Sequence, residues 1–471
     1  MQYIKKLFHP RDLTQDSPMR GLVLFSVPLL IGNLAQQLYS TVDATIVGQY
    51  IGDAALGAVG LSFPVLNLML ALFMGISTGA NIVVSQYFGA HNRESLSRSV
   101  GSVMLLTLWS SLLISALGVI ITRPLLILLG SPAEMLDLAA DYLVIIFMGL
   151  TACAFYNILS GILRGLGDSV SPLLFLLIAA GLNIVLDILS VTVLGMKTNG
   201  VAWATIISQA ISALLCYRRL RSMGQILDVN RQTLKLDRPI TRRIISLGLP
   251  AGATQMIFSL SMLLIQSLTN TLGPHVVTAN TVTMRVDGFA IMPSFTFGIA
   301  ATTFSGQNVG ARRMHRVIQG TRASLILAVS VSTALVACIL LFGESILRIF
   351  TQTEEIITLS LSMLRVLAFG YIAFSVTQVL MGVMRGAGET VIPMWISLIT
   401  AIAIRLPLAY LWAALSRSPR HPAGDPLCLY GSLLTAWVLG AALTTFVFRR
   451  GGWKRKCHFE NLSPAAQEGD T

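Results

Sequence analysis

Charge is what this chain has least of. Only 11% of its 471 residues are Asp, Glu, Lys or Arg, whereas 54% are hydrophobic and the mean hydropathy is +0.74. No soluble domain of this size needs so much apolar surface, which excludes a water-soluble enzyme or binding module. Cysteine is sparse and scattered: Cys153, Cys216, Cys338, Cys428 and Cys457 are odd in number and far apart. They offer neither a disulfide framework nor a metal site. The six histidines (9, 91, 275, 315, 421 and 458) fall at termini, loops or helix ends, and no H-E-x-x-H occurs. A zinc hydrolase is thereby excluded. The first twenty residues are polar and mixed in charge, with no cleavage site before the apolar run, so no signal peptide is expected.

Long uncharged runs are what the chain does have, among them 54–92, 142–163, 244–284, 323–343 and 426–448. A helix needs roughly 20 apolar residues to cross the ~30 Å hydrocarbon layer, so the longest runs hold two spans each. Adding the runs broken by Asp43 and Arg405 predicts an all-α polytopic membrane protein of about twelve transmembrane helices. The net charge of +12 is distributed unevenly. Counted from an inside start, most Lys and Arg fall in the N-terminus, the linker 218–243, the tail 449–456 and the short loops on one side. This follows the positive-inside rule, with both termini cytoplasmic in a multi-pass cell membrane protein. Basic loops beside anionic lipid account for the charge, and no segment is large enough to fold into a nucleic-acid-binding domain.

The chain also repeats itself. Residues 161–172 read GILRGLGDSVSP and 382–393 read GVMRGAGETVIP. The same shift carries Gln86, Gly89 and Ala90 onto Gln307, Gly310 and Ala311, Glu134 onto Glu355, and Gly149 onto Gly370; Pro28 meets Pro250 after a one-residue adjustment. Two six-helix lobes are predicted, 20–217 and 243–448, with a cytoplasmic N-terminus 1–19, a linker 218–242 and a cytoplasmic tail 449–471. An even helix count gives both lobes the same orientation, related by an axis along the membrane normal, an architecture typical of transporters. In the repeated turns, Arg164 with Asp168 and Arg385 with Glu389 could pair across the turn. They make either a plain turn or a cytoplasmic latch.

Asp43, Asp187 and Asp287 are the acids set deep in predicted spans, where a carboxylate is costly and commonly marks an ion route. Asp43 lies ~34 Å along helix one and Asp187 ~24 Å along helix five, both in the outer half, with Thr205 at similar depth on helix six. Gln36, Tyr39 and Asp43 share one helical face, and Asn183 and Asp187 share another. No Lys or Arg occurs inside the first lobe's spans to neutralise these acids, so a bound cation, H⁺ or Na⁺, is expected there. Asp287 could pair with Arg405 or Arg365, or bind substrate. Pro28 removes a backbone hydrogen bond within helix one and marks a bend.

With VPLLIGNLAQQLYSTVDATIVG at 27–48, SQYFGAHN at 85–92, its echo GQNVGA at 306–311 and NIVLD at 183–187, the chain resembles the multidrug and toxic compound extrusion (MATE) family along nearly its whole length. The DinF-like branch is the most similar. The resemblance implies two lobes around a V-shaped cleft, alternating access, and export of organic, cationic molecules in exchange for H⁺ or Na⁺. It implies a cation site of Asp43, Asn183, Asp187 and Thr205, with Gln36, Tyr39, Tyr142 and Asn157 nearby; these four and Asp287 are the candidates for the substrate cavity. Neither a metal other than a possible Na⁺ nor a cofactor is implied; the partners are the bilayer and small organic substrates, and a monomer is expected. A second-lobe acid pair on helices seven and ten, found in the NorM-like branch, is missing here. The alternatives are a flippase for a lipid-linked precursor and, from a different class, an intramembrane enzyme. The repeated cytoplasmic turns would have no use in the latter.

Overall fold

The computed structural model describes residues 10–15, 17–46, 50–51, 53–128, 133–419 and 422–457. Among these residues the chain is helical, with no sheet. The first lobe consists of α1 (Pro18–Ile46), α2 (Asp53–Gly89), α3 (Arg93–Leu128), α4 (Ala133–Met148 and Leu150–Gly165), α5 (Val170–Ile188, continued by a π-helical turn Leu189–Val193) and α6 (Thr198–Arg221). The second consists of α7 (Arg238–Thr271), α8 (Pro274–Gly310), α9 (Met314–Leu347), α10 (Glu354–Gly386), α11 (Val391–Leu398, a π-helical Ile399–Ile404, and Arg405–Leu415) and α12 (Cys428–Arg450). A short 3₁₀ turn, Gly452–Cys457, follows.

Ten of these helices are long and apolar enough to cross a membrane, and the two halves of α4, bent by 52°, complete an eleventh span. The twelfth, α8, is 37 residues long but too polar to be recognised on composition. Its place explains this. It packs against α1, α2, α9 and α10, and buries Thr302, Thr303, Gln307 and Asn308 among protein groups.

The twelve-residue repeat is a repeat of backbone shape as well. Gly167 (φ 84°) and Gly388 (φ 92°) hold equivalent left-handed positions, and so do His91 (φ 53°) and Arg312 (φ 57°). Gly149 and Gly370 make room for the last helix of each lobe. A Cβ on Gly149 would lie 2.1 Å from Ile206 of α6, and one on Gly370 would lie 2.8 Å from Trp437 of α12. In α4 the bend falls at this glycine, whereas α10 continues through it without a break. α1 is likewise an unbroken helix through Pro28, as α7 is through Pro250.

Small residues bring the lobes together. Gly75 and Gly79 of α2 face Gly248 and Gly252 of α7 so closely that a Cβ on Gly75 would sit 2.6 Å from the Gly248 carbonyl oxygen. This is small-xxx-small packing, which lets backbones approach where lipid offers no hydrophobic drive. The linker between α6 and α7 is tied to the first lobe. Arg93 pairs with Asp228 at 2.8 Å, Ser102 donates to the Lys235 carbonyl at 3.0 Å, and Asp237 caps α7 through the Ile240 amide.

Candidate functional site

Three helices of the first lobe meet at Asn183. Its orientation follows from which neighbours can accept and which can donate. The Asn183 amide nitrogen donates to Asp187 Oδ2 at 2.9 Å and to the Tyr39 hydroxyl at 3.2 Å, and its oxygen accepts from the Thr205 backbone amide at 3.1 Å. Asn183 and Asp187 are 1% and 0% exposed. Their i, i+4 spacing puts both on the face of α5 turned to α1 and α6, and the π-helical turn begins two residues after Asp187. Such turns insert an extra residue into a helix and recur at functional sites.

The predicted residues divide as follows. Asn183, Asp187, Thr205 and Tyr39 are brought together. Thr205 joins through its amide nitrogen, and its hydroxyl donates back to Val201 at 3.0 Å. Asp43 lies one turn beyond Tyr39 on α1, and its side chain is outside the described residues. Gln36 is half-buried on the face of α1 shared with Tyr39. Tyr142 is buried against Ile145, Ala202 and Ile206. Asn157 stands apart. Its amide donates to the Cys153 carbonyl at 2.9 Å and its own carbonyl accepts from Ser77, about two turns from the basic end of α4 and well below Asp187.

The second lobe holds a different cluster. Asp287 of α8 faces Tyr371 of α10 and Arg405 of α11, and its Oδ1 is buried without a hydrogen-bond partner. Arg405 reaches Ser261 of α7 at 3.5 Å, and Tyr430 of α12 donates to Asn280 at 2.8 Å. Arg365 is no part of this group. It lies on the exposed side of α10, away from the face that carries Tyr371. Arg285 is exposed on the stripe of α8 that includes Gly288, where a Cβ would lie 3.7 Å from Gln37 of α1.

In the repeated turns the expected Arg–acid pairs do not form. Asp168 accepts from the Ser171 amide at 2.9 Å and hydroxyl at 2.7 Å and pairs with Arg219 of α6 at 3.0 Å. Glu389 accepts from the Val391 and Ile392 amides at 3.0 and 3.1 Å. Each acid satisfies the open N–H groups at a helix start, a stronger demand than a pair across a turn. The Nε atoms of Arg164 and Arg385 are buried without a partner. The repeated glutamines Gln86 and Gln307, singled out by the sequence only as signs of duplication, are the groups that cross between the lobes at this end. Gln86 donates to the Gly386 carbonyl at 2.9 Å and Gln307 to that of Gly165 at 3.0 Å.

Two like-oriented six-helix lobes with a polar cluster inside each define a secondary-transporter class of membrane protein. The family model described as MatE matches residues 28–189 and 250–411, once in each lobe, and the chain belongs to that family of multidrug efflux transporters. It is 30% identical over 84% of its length, and 88% of the relative's, to the probable multidrug resistance protein YoeA of Bacillus subtilis. It is 28% identical over 72% of its length, and 74% of the relative's, to the DNA damage-inducible protein F of Escherichia coli. A crystal structure described as MATE in the straight conformation superposes with a TM-score of 0.87 at 25% identity, covering 94% of this chain and 98% of that one.

Proposed function

We propose that the protein is a monomeric antiporter that exports organic cations in exchange for H⁺ or Na⁺ by alternating access, with its basic end and both termini in the cytoplasm. It performs no covalent chemistry and needs no cofactor. The lobes divide at the linker 218–242. The observation that carries the reading is the Asp187–Asn183–Tyr39–Thr205 cluster, a fully buried carboxylate held by an amide where three helices of one lobe meet. A buried carboxylate at that depth is costly and commonly marks an ion route. Asp187 and Asp43 take the coupling ion, and Asn183 holds the Asp187 carboxylate towards α1 and α6. Ion entry from outside moves α1 through Tyr39 and loosens substrate held near Gln36, Tyr142 and Asn157. Substrate then weakens ion binding by the same factor, because coupling is reciprocal.

Asp287 acts on the substrate side, one of its oxygens buried without a hydrogen-bond partner. Of the three arginines that would suit an anionic lipid headgroup, Arg405 is turned to Asp287 and Arg365 lies away from it on the exposed side of α10, so export of cations is the better reading. The test is efflux from proteoliposomes under imposed Na⁺ or pH gradients. Asp43→Asn and Asp187→Asn should each abolish gradient-driven efflux, whereas Asp287→Asn should change the order of preferred substrates and leave the ion requirement intact. Full coupled transport by Asp187→Asn would make its carboxyl group merely structural.

A further inference from the structure

Where α2 and α8 cross at the basic end, the duplicated Gln-x-x-Gly units interlock. A Cβ on Gly89 would lie 1.9 Å from the Gln307 carbonyl oxygen, and one on Gly310 would lie 1.9 Å from that of Gln86. Only glycine lets the two backbones meet in this way. The side chains, 1% and 0% exposed, then cross reciprocally to the terminal glycine carbonyls of α10 and α4. Their oxygens are also filled: Gln86 Oε1 accepts from Arg243 of α7 at 2.5 Å, and Gln307 Oε1 accepts from the Leu13 amide at 2.9 Å.

That last partner breaks the symmetry. Residues 10–15 lie across both lobes before α1 begins. The Arg11 amide donates to Gly167 of the first lobe at 3.3 Å. On the other side, the Leu13 carbonyl accepts from Asn308 at 3.3 Å and Arg316 at 3.2 Å, and the Thr14 carbonyl accepts from Arg313 at 2.7 Å, all of the second lobe. Leu13 itself is 2% exposed and packs with Phe25 and Phe304.

We infer that Gln86 and Gln307 form the inner gate of the transport cycle, a reciprocal clasp bolted by residues 10–15. Opening towards the basic end separates Gln86 from Gly386, Gln307 from Gly165, and Leu13 from Asn308. Every acceptor in the clasp is a neutral amide or carbonyl. Breaking it strands no buried carboxylate, as parting a buried ion pair would, and water entering the opened face can satisfy each group. A gate that opens once per cycle requires this, and the acids of the turns, fixed in helix capping, cannot supply it. The inference rests on the alternating-access reading above, but its test does not depend on transport.

The reporter is Thr303→Cys in a background with the five native cysteines replaced. Thr303 is 0% exposed, lies one turn deeper than Gln307, and donates to Asn81 of the first lobe at 3.3 Å. Its labelling by a membrane-impermeant maleimide from the cytoplasmic side reads inner opening. With Gln86→Ala and Gln307→Ala together, labelling should accelerate by at least on the order of tenfold, since each loss removes a cross-lobe hydrogen bond. Unchanged labelling would overturn the clasp. A second variant, Leu13→Cys with Asn308→Cys, should on oxidation protect the reporter and arrest efflux, with both effects reversed by reductant. Efflux at the reduced rate after complete cross-linking would overturn the bolt. Accelerated labelling in a protein whose unmodified form moves no substrate would support the clasp and reject the antiport reading.

Discussion

Asn183 is the residue on which the first-lobe site turns, because one amide serves Asp187, Tyr39 and Thr205 at once. Asn183→Leu would leave the Asp187 carboxylate and the Thr205 amide short of a partner in a buried place, a cost of roughly 1–3 kcal/mol per stranded group. The expected outcome is a lower thermal midpoint in detergent together with loss of coupled efflux; full coupling in a folded Asn183→Leu protein would remove Asn183 from the ion site. Tyr430→Phe provides the contrast in the second lobe. It deletes the hydrogen bond to Asn280 and should cost about 1 kcal/mol in stability while leaving ion coupling unchanged. The i, i+4 spacing of Asn183 and Asp187 was legible in the sequence. That the Thr205 amide reaches Asn183 was not, since it depends on how α5 and α6 are rotated against each other.

For the helices, glycine spacing matters more than apolarity. Gly75→Ala places a methyl group against the backbone of Gly248 and Gly252, with 2.6 Å to the nearest oxygen. No rotamer change relieves contact with a backbone, so α2 and α7 must separate at a cost of about 1–3 kcal/mol. Gly181 of α5 has nothing within 4 Å of the equivalent Cβ position, so Gly181→Ala should be neutral or stabilise by roughly 0.5–1 kcal/mol through helix propensity. Thermal midpoints of the two proteins in one detergent check the pair, and equal shifts would contradict the packing described for α2 and α7. The GxxxG spacings at 75–79 and 248–252 were visible in the chain. Which helix each would meet was not, because the pattern names a close approach and not a partner. α8 shows the opposite limit: its polar content, read alone, hides a span that the other helices enclose.

At the scale of the whole molecule, the duplication predicts that each lobe keeps its internal packing while the boundary between them changes during the cycle. Substitutions that weaken the α2–α8 crossing should therefore shift the balance of inward and outward states, whereas those at Gly149 or Gly370, which seat α6 and α12 inside one lobe, should reduce the yield of folded protein. Gly370→Leu, driven against Trp437, is expected to lower yield severalfold in a fluorescence size-exclusion assay without altering the labelling of any protein that does fold. Faster labelling of its folded fraction would place Gly370 at the moving boundary.

By itself the sequence determined the solvent, the helix number and the twofold repeat. These depend on composition and on the rise of 1.5 Å per residue, both local properties. Tertiary structure alone decided the partners. It turned Arg365 away from Asp287, used Asp168 and Glu389 as helix caps, aimed the Thr205 amide at Asn183, and made the repeated glutamines the contact between lobes. A polar side chain within a helical run has several partners within reach of its rotamers. Which one it meets depends on the rotation of each helix against its neighbours, set by close glycine contacts between segments more than a hundred residues apart.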